Sequence, residues 1–167
     1  MKKSITALFL FISFFTFSQD IKLKKGKILI ENKEWLNYDG CGSFNNNCNL
    51  MLISNNEEVV YMNWVKVPNA EPISNYNRTG ELAYIQIKFL GLNASIEMKQ
   101  TFKKAISIIY NSKAVNEDGS FDKDKVMRLV EKYGTPFSDQ LNNTNNNTTI
   151  IIKEEPSKPG VNINIGR

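Results

Sequence analysis

The longest run of strand-forming residues in the chain lies within residues 41–67 and is interrupted at Asn55-Asn56. Asparagine tolerates the positive φ that a tight hairpin turn requires, so this dipeptide predicts a two-residue turn that pairs Leu52 with Val59. Strands that are apolar on both faces belong in the interior of a sheet, and we expect this hairpin there. One predicted face carries Leu50, Leu52, Val59 and Tyr61, and the other carries Met51, Val60, Met62 and Trp64.

Shorter strand-like segments flank this central hairpin. Residues 27–31 and 34–38 predict a first hairpin that turns at Asn32-Lys33. Residues 81–90 alternate between apolar and polar side chains, which predicts a half-buried strand. Residues 94–98 fit either a short returning strand or the start of a helix.

The segment from Pro68 to Gly80 predicts the longest irregular loop of the domain. Proline cannot donate a hydrogen bond to a strand ladder, so the central hairpin must end at Val67. Loops of this length inside a domain are often functional or mobile.

After Met98 the apolar residues recur at helical spacing. A first helix is indicated by a stripe of apolar side chains at Phe102, Ala105, Ile106, Ile109 and Tyr110. A second begins at Asp122, a favourable N-cap residue, and ends at Gly134, with Pro136 two residues later. These features predict an α+β fold, an antiparallel sheet of about five or six strands with two C-terminal helices packed on one face.

The two ends of the chain differ in composition from this domain. Lys2 and Lys3 precede a largely apolar run from Ile5 to Phe17, too short to span a bilayer, and Ser18 offers a small residue for cleavage. We therefore predict a signal peptide over residues 1–18, a single α+β domain over 19–139, and an Asn/Thr-rich flexible tail over 140–167. The exported protein would be secreted or periplasmic, in the manner of a Gram-negative bacterium, with no membrane span after signal removal.

The net charge does not indicate a nucleic-acid partner. Loss of Lys2 and Lys3 with the signal leaves 19 basic residues against 17 acidic ones, so the exported chain carries a net charge of +2. Its lysines are scattered among acidic residues, whereas nucleic-acid binding needs basic residues clustered on one face. We expect no nucleic-acid partner.

The two cysteines, Cys41 and Cys48, are expected to form a disulfide because the chain is exported. The bridge would close a short loop and stabilise the fold by roughly 2–3 kcal/mol. A metal or redox pair is disfavoured, since the spacing is not Cys-x-x-Cys and the chain has no histidine.

The absence of histidine also removes the commonest general base and every Ser-His or Cys-His nucleophile pair. The glycines are isolated, so no phosphate-binding loop is indicated. We predict no catalytic residues, no cofactor and no metal site, although catalysis by a pair of carboxylates remains chemically open.

Residues 116–122 partly match the calcium loop of an EF-hand. Aligning Gly119 with the loop glycine, however, puts Ala114 at the first ligand position and Lys125 in place of the bidentate glutamate. A polar turn that caps the second helix explains the segment better.

The candidate binding surface consists of Phe44 in the disulfide loop together with Tyr76 and Arg78 in the long loop. Aromatic and arginine side chains presented on loops are typical of recognition surfaces, although ordinary packing on the sheet would also account for them. The sequence thus favours a small exported binding module without catalytic activity, whose partner is a protein or a glycan. The alternatives are a carboxylate-dependent envelope hydrolase acting on glycans and an inhibitor or immunity-type partner of another secreted protein.

Overall fold

A computed structural model describes residues 20–146 of the chain and the side chains of residues 20–142. The predicted signal peptide and most of the predicted tail lie outside the described residues. The strands are β1 (Ile21–Lys24), β2 (Lys27–Ile30), β3 (Lys33–Gly40), β4 (Asn47–Met51), β5 (Glu58–Val67), β6 (Leu82–Phe89) and β7 (Ala94–Met98). The helices are α1 (Phe102–Asn111), α2 (Lys123–Tyr133) and α3 (Pro136–Asn146).

All seven strands form one antiparallel sheet in which each strand pairs with the next along the chain. The α+β class is therefore confirmed, with one strand more than the upper end of the expected number. The additional strand is β1, which is joined to β2 by a turn at Lys25-Gly26. Both turn residues have positive φ, 51° and 77°, as a two-residue hairpin turn requires.

The predicted turn of the next hairpin is displaced by one residue. The chain turns at Glu31-Asn32, whose φ values are 51° and 67°, so that Ile30 pairs with Lys33. Asn32 was expected at the first position of the turn but occupies the second. Either position needs positive φ, so the asparagine alone did not fix the register.

The hairpin between β4 and β5 turns through a longer loop than predicted. The backbone N–H of Leu52 donates to the carbonyl of Glu57 at 2.9 Å, which encloses four residues, 53–56. Asn56 adopts φ 58°, and the side chain of Asn55 accepts a hydrogen bond from the N–H of Glu57 at 3.0 Å. The two asparagines do make the turn, but as part of this four-residue loop.

The longer loop moves the register of the hairpin by one residue. Leu50 pairs with Val60, not with Tyr61, and the register shifts between Leu50 and Met51, where Val59 is the extra residue on β5. The predicted register and the predicted division of the hairpin into faces are therefore wrong, because side chains alternate along a strand and a one-residue shift exchanges its faces. The prediction that β5 lies inside the sheet holds, since β4 and β6 flank it.

The two faces of the sheet differ in chemistry. One, the apolar face, carries buried residues from successive strands, including Cys48, Leu50, Val60, Met62, Ile85, Ile87, Phe89 and Ile96. The other, the polar face, carries Asn37, Asp39, Asn47, Asn49, Tyr61, Asn63, Gln86 and Lys88.

Helices α1 and α2 contribute their apolar stripes to the core on the apolar face. Phe102 of α1 packs edge-on against Trp64 with ring centroids 6.0 Å apart, and Phe121 packs against Phe89 at 5.9 Å. The predicted caps are confirmed, because Asp122 accepts from the backbone N–H of Lys125 and Gly134 ends α2 with φ 52°. Residues 94–98, which left two possibilities open, form strand β7.

Helix α3 was not predicted, and it starts on the polar face. Tyr84 of β6 packs against Phe137 with ring centroids 4.9 Å apart. The carboxylate of Glu97, whose residue is only 2% exposed, accepts hydrogen bonds from the N–H groups of Phe137 and Ser138 at 3.0 Å each and from the Ser138 hydroxyl. Residues 140–146, expected in the tail, belong to this helix. A carboxylate at a helix N-terminus satisfies N–H groups that would otherwise lack partners.

The predicted disulfide between Cys41 and Cys48 is present and joins the end of β3 to β4. Among residues 20–146, no helix has both the length and the apolar character needed to cross a bilayer.

Replacing Glu97 by alanine should detach the start of α3 from the sheet. The change leaves the part-buried N–H donors of Phe137 and Ser138 unpaired, and we expect a loss of about 2–3 kcal/mol in unfolding free energy. Thermal unfolding should show a melting temperature lower by roughly 10 °C. Glu131→Ala, at an exposed carboxylate of α2, is the matched control and should change little; equal melting temperatures for Glu97→Ala and the wild type would contradict this role.

Candidate functional site

The segment between β5 and β6, residues 68–81, contains no regular secondary structure and is organised by Asn77. We call residues 68–80 the Asn77 loop. The Asn77 amide nitrogen donates to the Glu71 carboxylate at 2.9 Å and to the Glu81 carbonyl at 3.0 Å. Its amide oxygen accepts from the N–H of Glu81 at 3.1 Å. One side chain thus joins the early part of the loop to the start of β6.

Contacts at the base of the Asn77 loop fix it further. The N–H of Glu71 donates to the carbonyl of Gly80 at 2.9 Å, and the Lys99 ammonium pairs with the Glu71 carboxylate. Gly80 has φ 62°, and a Cβ there would lie 2.7 Å from the Glu71 carbonyl oxygen. A glycine is therefore required where the two ends of the loop meet.

The outer surface of the Asn77 loop presents large side chains to solvent. Tyr76 is fully exposed at 102%, Ile73 is 75% exposed, and Arg78 is also exposed. Tyr76 and Arg78, two residues of the candidate binding surface, are thus exposed on this loop. Because the backbone beneath is hydrogen-bonded, these side chains are held outward without packing on the sheet.

The disulfide loop, residues 41–48, presents the third predicted residue. Phe44 is 103% exposed, while Cys41 and Cys48 at the base of the loop are buried. The disulfide and the hydrogen bond from the Cys41 N–H to the Asn47 carbonyl, at 3.1 Å, hold the two ends of the loop together. This loop too is anchored at its base and exposed at its tip.

A cleft of about 500 Å³ lies beside the disulfide loop. An exposed phenylalanine and a half-buried tryptophan line it, together with one basic and one acidic side chain. The lining residues are Ser43, Phe44, Asn45, Asn46, Trp64, Lys66, Glu81 and Ala83. Its volume falls within the range of small-molecule sites, and its mixed lining could hold an amphipathic ligand group.

The three residues of the predicted binding surface do not line one pocket. Phe44 lines the cleft, whereas Tyr76 and Arg78 are not among its lining residues. The Asn77 loop leads directly into Glu81, which does line the cleft, so the two loops are neighbours along this end of the sheet.

Sequence reasoning missed three contributors to this region: Trp64 as a cleft wall, the charged side chains of Lys66 and Glu81 in the lining, and the organising role of Asn77. A cluster of turn-forming residues around Asn77 was visible in the sequence. Asparagine side chains often replace backbone groups in such turns, which is the signal that could have identified Asn77.

The turn that partly matches an EF-hand uses its polar groups internally. Asp118 accepts from the N–H and the hydroxyl of Ser120 at 2.9 and 2.7 Å, and Asp122 pairs with the Lys125 ammonium at 2.9 Å. These hydrogen bonds lower the pKa of Asp118, and the hydrogen bond and charge of Lys125 lower the pKa of Asp122. Within the described part of the chain, no group of three or more histidine, cysteine, aspartate or glutamate residues could hold a metal ion.

The Lys99–Glu71 pair gives the Asn77 loop a dependence on pH. The hydrogen bond from Lys99 lowers the pKa of Glu71 below its ordinary value of 4.5, and the charge of Lys99 and the Asn77 amide act in the same direction. A carboxyl whose pKa is lowered on folding stabilises the fold above the unfolded pKa, and this stabilisation is lost as pH falls through the folded value.

Glu71→Gln should therefore lower the melting temperature at pH 7, because the ammonium of Lys99 loses its charged partner. The difference from the wild type should shrink as pH falls below 4.5. Thermal unfolding of both proteins from pH 7 to pH 2.5 measures this, with Glu117→Gln as a control at an exposed carboxylate outside the loop. A difference that stays constant over that range would show that the charge of Glu71 is not involved.

Millimolar calcium should leave the melting temperature of the wild type unchanged. The Lys125 ammonium occupies the position where a calcium loop supplies two carboxylate oxygens, and it is already paired with Asp122. Differential scanning fluorimetry with calcium and with excess chelator tests this. A rise of several degrees in calcium would identify the turn as a metal site.

Comparison with known proteins finds no relative: no protein-family model, no curated protein and no solved structure matches the chain. The functional argument therefore rests on the geometry of the two loops and of the sheet.

Proposed function

We propose that this protein is an exported, non-catalytic recognition module that binds its partner through Phe44 of the disulfide loop and through Tyr76 and Arg78 of the Asn77 loop. The observation that carries the proposal is the complete exposure of two aromatic side chains on two loops that are anchored at their bases. Burying aromatic surface in a core is favourable, so aromatic side chains held in water by anchored loops suggest a surface that a partner covers.

The anchoring of the loops supports binding on energetic grounds. Association normally costs entropy to order flexible segments. In the Asn77 loop, the hydrogen bonds of Asn77 and the Glu71–Lys99 pair order the backbone before any partner arrives. Tyrosine and arginine are also the residue types that most often contribute large binding energies at interfaces.

Export of the module is supported by the N-terminal sequence and by the disulfide. The basic start and short apolar run match a secretory signal. The Cys41–Cys48 bridge suits an oxidising compartment such as the periplasm or the extracellular space. An inhibitor or immunity-type partner of another secreted protein is one form that such a module would take.

The carboxylate-dependent hydrolase has no comparable observation in its favour. Among the described residues the buried charged group is Glu97, and both of its carboxylate oxygens accept hydrogen bonds at the start of α3. This leaves Glu97 with a structural role in positioning that helix.

The double substitution of Tyr76 and Arg78 by alanine should abolish partner capture and leave the melting temperature nearly unchanged. Both side chains are exposed, so their removal takes away contact surface without disturbing the core. The measurement is affinity capture from the native secreted and envelope fractions with wild-type and variant protein, alongside thermal unfolding of both.

Two further variants separate binding from folding. Asn77→Ala should lower the melting temperature, because it removes the hydrogen bonds that organise the loop. Lys103→Ala, an exposed position on α1, should retain both capture and stability. A collapse in melting temperature for the Tyr76 and Arg78 variant, or undiminished capture by it, would contradict the proposal.

A further inference from the structure

The cleft beside the disulfide loop lies where the apolar face of the sheet is no longer covered. Alternation along β5 places Trp64 and Lys66 on the same face as the buried Met62, and Lys66 pairs with Ala83 of β6. Trp64 still packs against Phe102 at the start of α1. Lys66, two residues further along β5, is exposed. The floor of the cleft is therefore an open end of the face that elsewhere forms the core.

Two aromatic side chains and one small side chain shape this cleft. Phe44 of the disulfide loop and the half-buried Trp64 both line it, as does Ala83, whose short side chain leaves room above the sheet. The N–H of Trp64 donates to the carbonyl of Asn46 at 2.7 Å, which ties the disulfide loop to β5. Aromatic rings stack favourably with other large apolar groups. The cleft thus offers a preformed place for one such side chain.

Two side chains of opposite charge line the same cleft without pairing with each other. Within the described part of the chain, neither the Lys66 ammonium nor the Glu81 carboxylate forms an ion pair or a hydrogen bond. The backbone of Glu81 is fixed, because its N–H and its carbonyl both bond to the side chain of Asn77. A ligand with charges of one sign would be attracted by one of these groups and repelled by the other. A ligand that carries one charge of each sign can pair with both.

The remaining polar side chains of the cleft match a peptide backbone. The amides of Asn45 and Asn46 line the cleft and have no side-chain hydrogen bond among residues 20–142. A carboxamide offers both donors and an acceptor, so it can pair with the N–H and the carbonyl of a peptide unit. A neutral sugar could also use these amides, but it would desolvate the two charges without pairing either of them. The lining therefore favours a peptide over a neutral glycan.

We propose that this cleft binds a peptide segment of the partner in which a large apolar side chain lies next to one acidic and one basic residue. The apolar side chain packs against Phe44 and Trp64, the acidic residue pairs with Lys66, and the basic residue pairs with Glu81. Opposite charges placed in this way select a partner by complementarity. The inference rests on the proposed function, because Phe44 belongs to both surfaces, and it adds the chemistry that the partner must present.

The test is an NMR titration of the full exported chain, labelled with nitrogen-15, with two pentapeptides blocked at both ends, Gly-Glu-Phe-Lys-Gly and Gly-Lys-Phe-Glu-Gly. The chain has two tryptophans, and the indole of Trp35 lies outside the cleft and donates to the Asn116 carbonyl at 3.2 Å. At least one peptide should shift the indole signal of Trp64 with a Kd below about 1 mM and leave that of Trp35 unchanged. Peptides with alanine in place of phenylalanine, or with glutamine in place of both charged residues, should bind about tenfold more weakly.

Variants of the cleft separate recognition from folding. Phe44→Ala should weaken peptide binding about tenfold and leave the melting temperature unchanged, because Phe44 is fully exposed. Lys66→Glu should weaken binding, and adding Glu81→Lys should restore it with the opposite preference between the two peptides, since the charges have exchanged places. A purely structural role would not produce this exchange. Lys88→Glu makes the same charge change on the polar face and should bind like the wild type.

The variant with both Tyr76 and Arg78 replaced by alanine should bind the pentapeptides like the wild type, because neither residue lines the cleft. If neither peptide shifts the Trp64 signal at millimolar concentration, the cleft inference is overturned, while capture of the partner through Tyr76 and Arg78 still decides the proposed function separately. Peptide binding that Phe44→Ala leaves intact, or a charge exchange that restores nothing, would also overturn the inference. So would a Trp64 signal that shifts with protein concentration alone, which would identify a second copy of the chain as the occupant.

Discussion

The pairing of Leu50 with Val60 decides which side chains the whole sheet places in its core. Through β5 and β6, this register also aligns Val60 with Phe89, and Met62 with both Cys48 and Ile87. A slip of one residue would turn Asn49 and Tyr61 toward the helices and expose the apolar set to solvent. The disulfide fits this register, because Cys48 is fully buried on the apolar face and Gly40 lies opposite it on β3.

Features fixed by neighbouring residues could be predicted from the sequence. Pro68 ends β5, Asp122 begins α2, and Gly134 ends it, since each acts on the backbone within a few residues of itself. The helices α1 and α2 and the strand β6 could likewise be predicted, because the spacing of apolar residues along each segment indicates its secondary structure. The fold class followed from these elements, because short connections between strands make antiparallel neighbours.

Features that depend on distant residues could not be predicted in this way. Helix α3 has a polar sequence, and its start is held by Glu97, about forty residues earlier in the chain. The predicted hairpin registers were wrong for a related reason. An asparagine can take positive φ at more than one turn position, and which position it occupies depends on the side chains that the strands bury.

The residues of the candidate site fall into the same two groups, those that nearby residues predict and those that depend on contacts made by the fold. Phe44 could be placed at an exposed tip because the cysteines on either side define its loop. Tyr76 and Arg78 could be placed on a loop because Pro68 ends the preceding strand. The turn-forming residues around Asn77 were a signal for its role, but its partner was not, since the fold brings Glu71 to Asn77 and Lys99 to Glu71.

The polar face follows from the same register that builds the core. Once Leu50, Val60 and Met62 are turned toward the helices, alternation sends Asn49, Tyr61 and Asn63 to the opposite side. Solubility alone does not explain the choice of residues there, because charged side chains or threonine would keep a sheet face wet at a lower cost in strand propensity. The register that stabilises the core is thus also the one that places these amides opposite it.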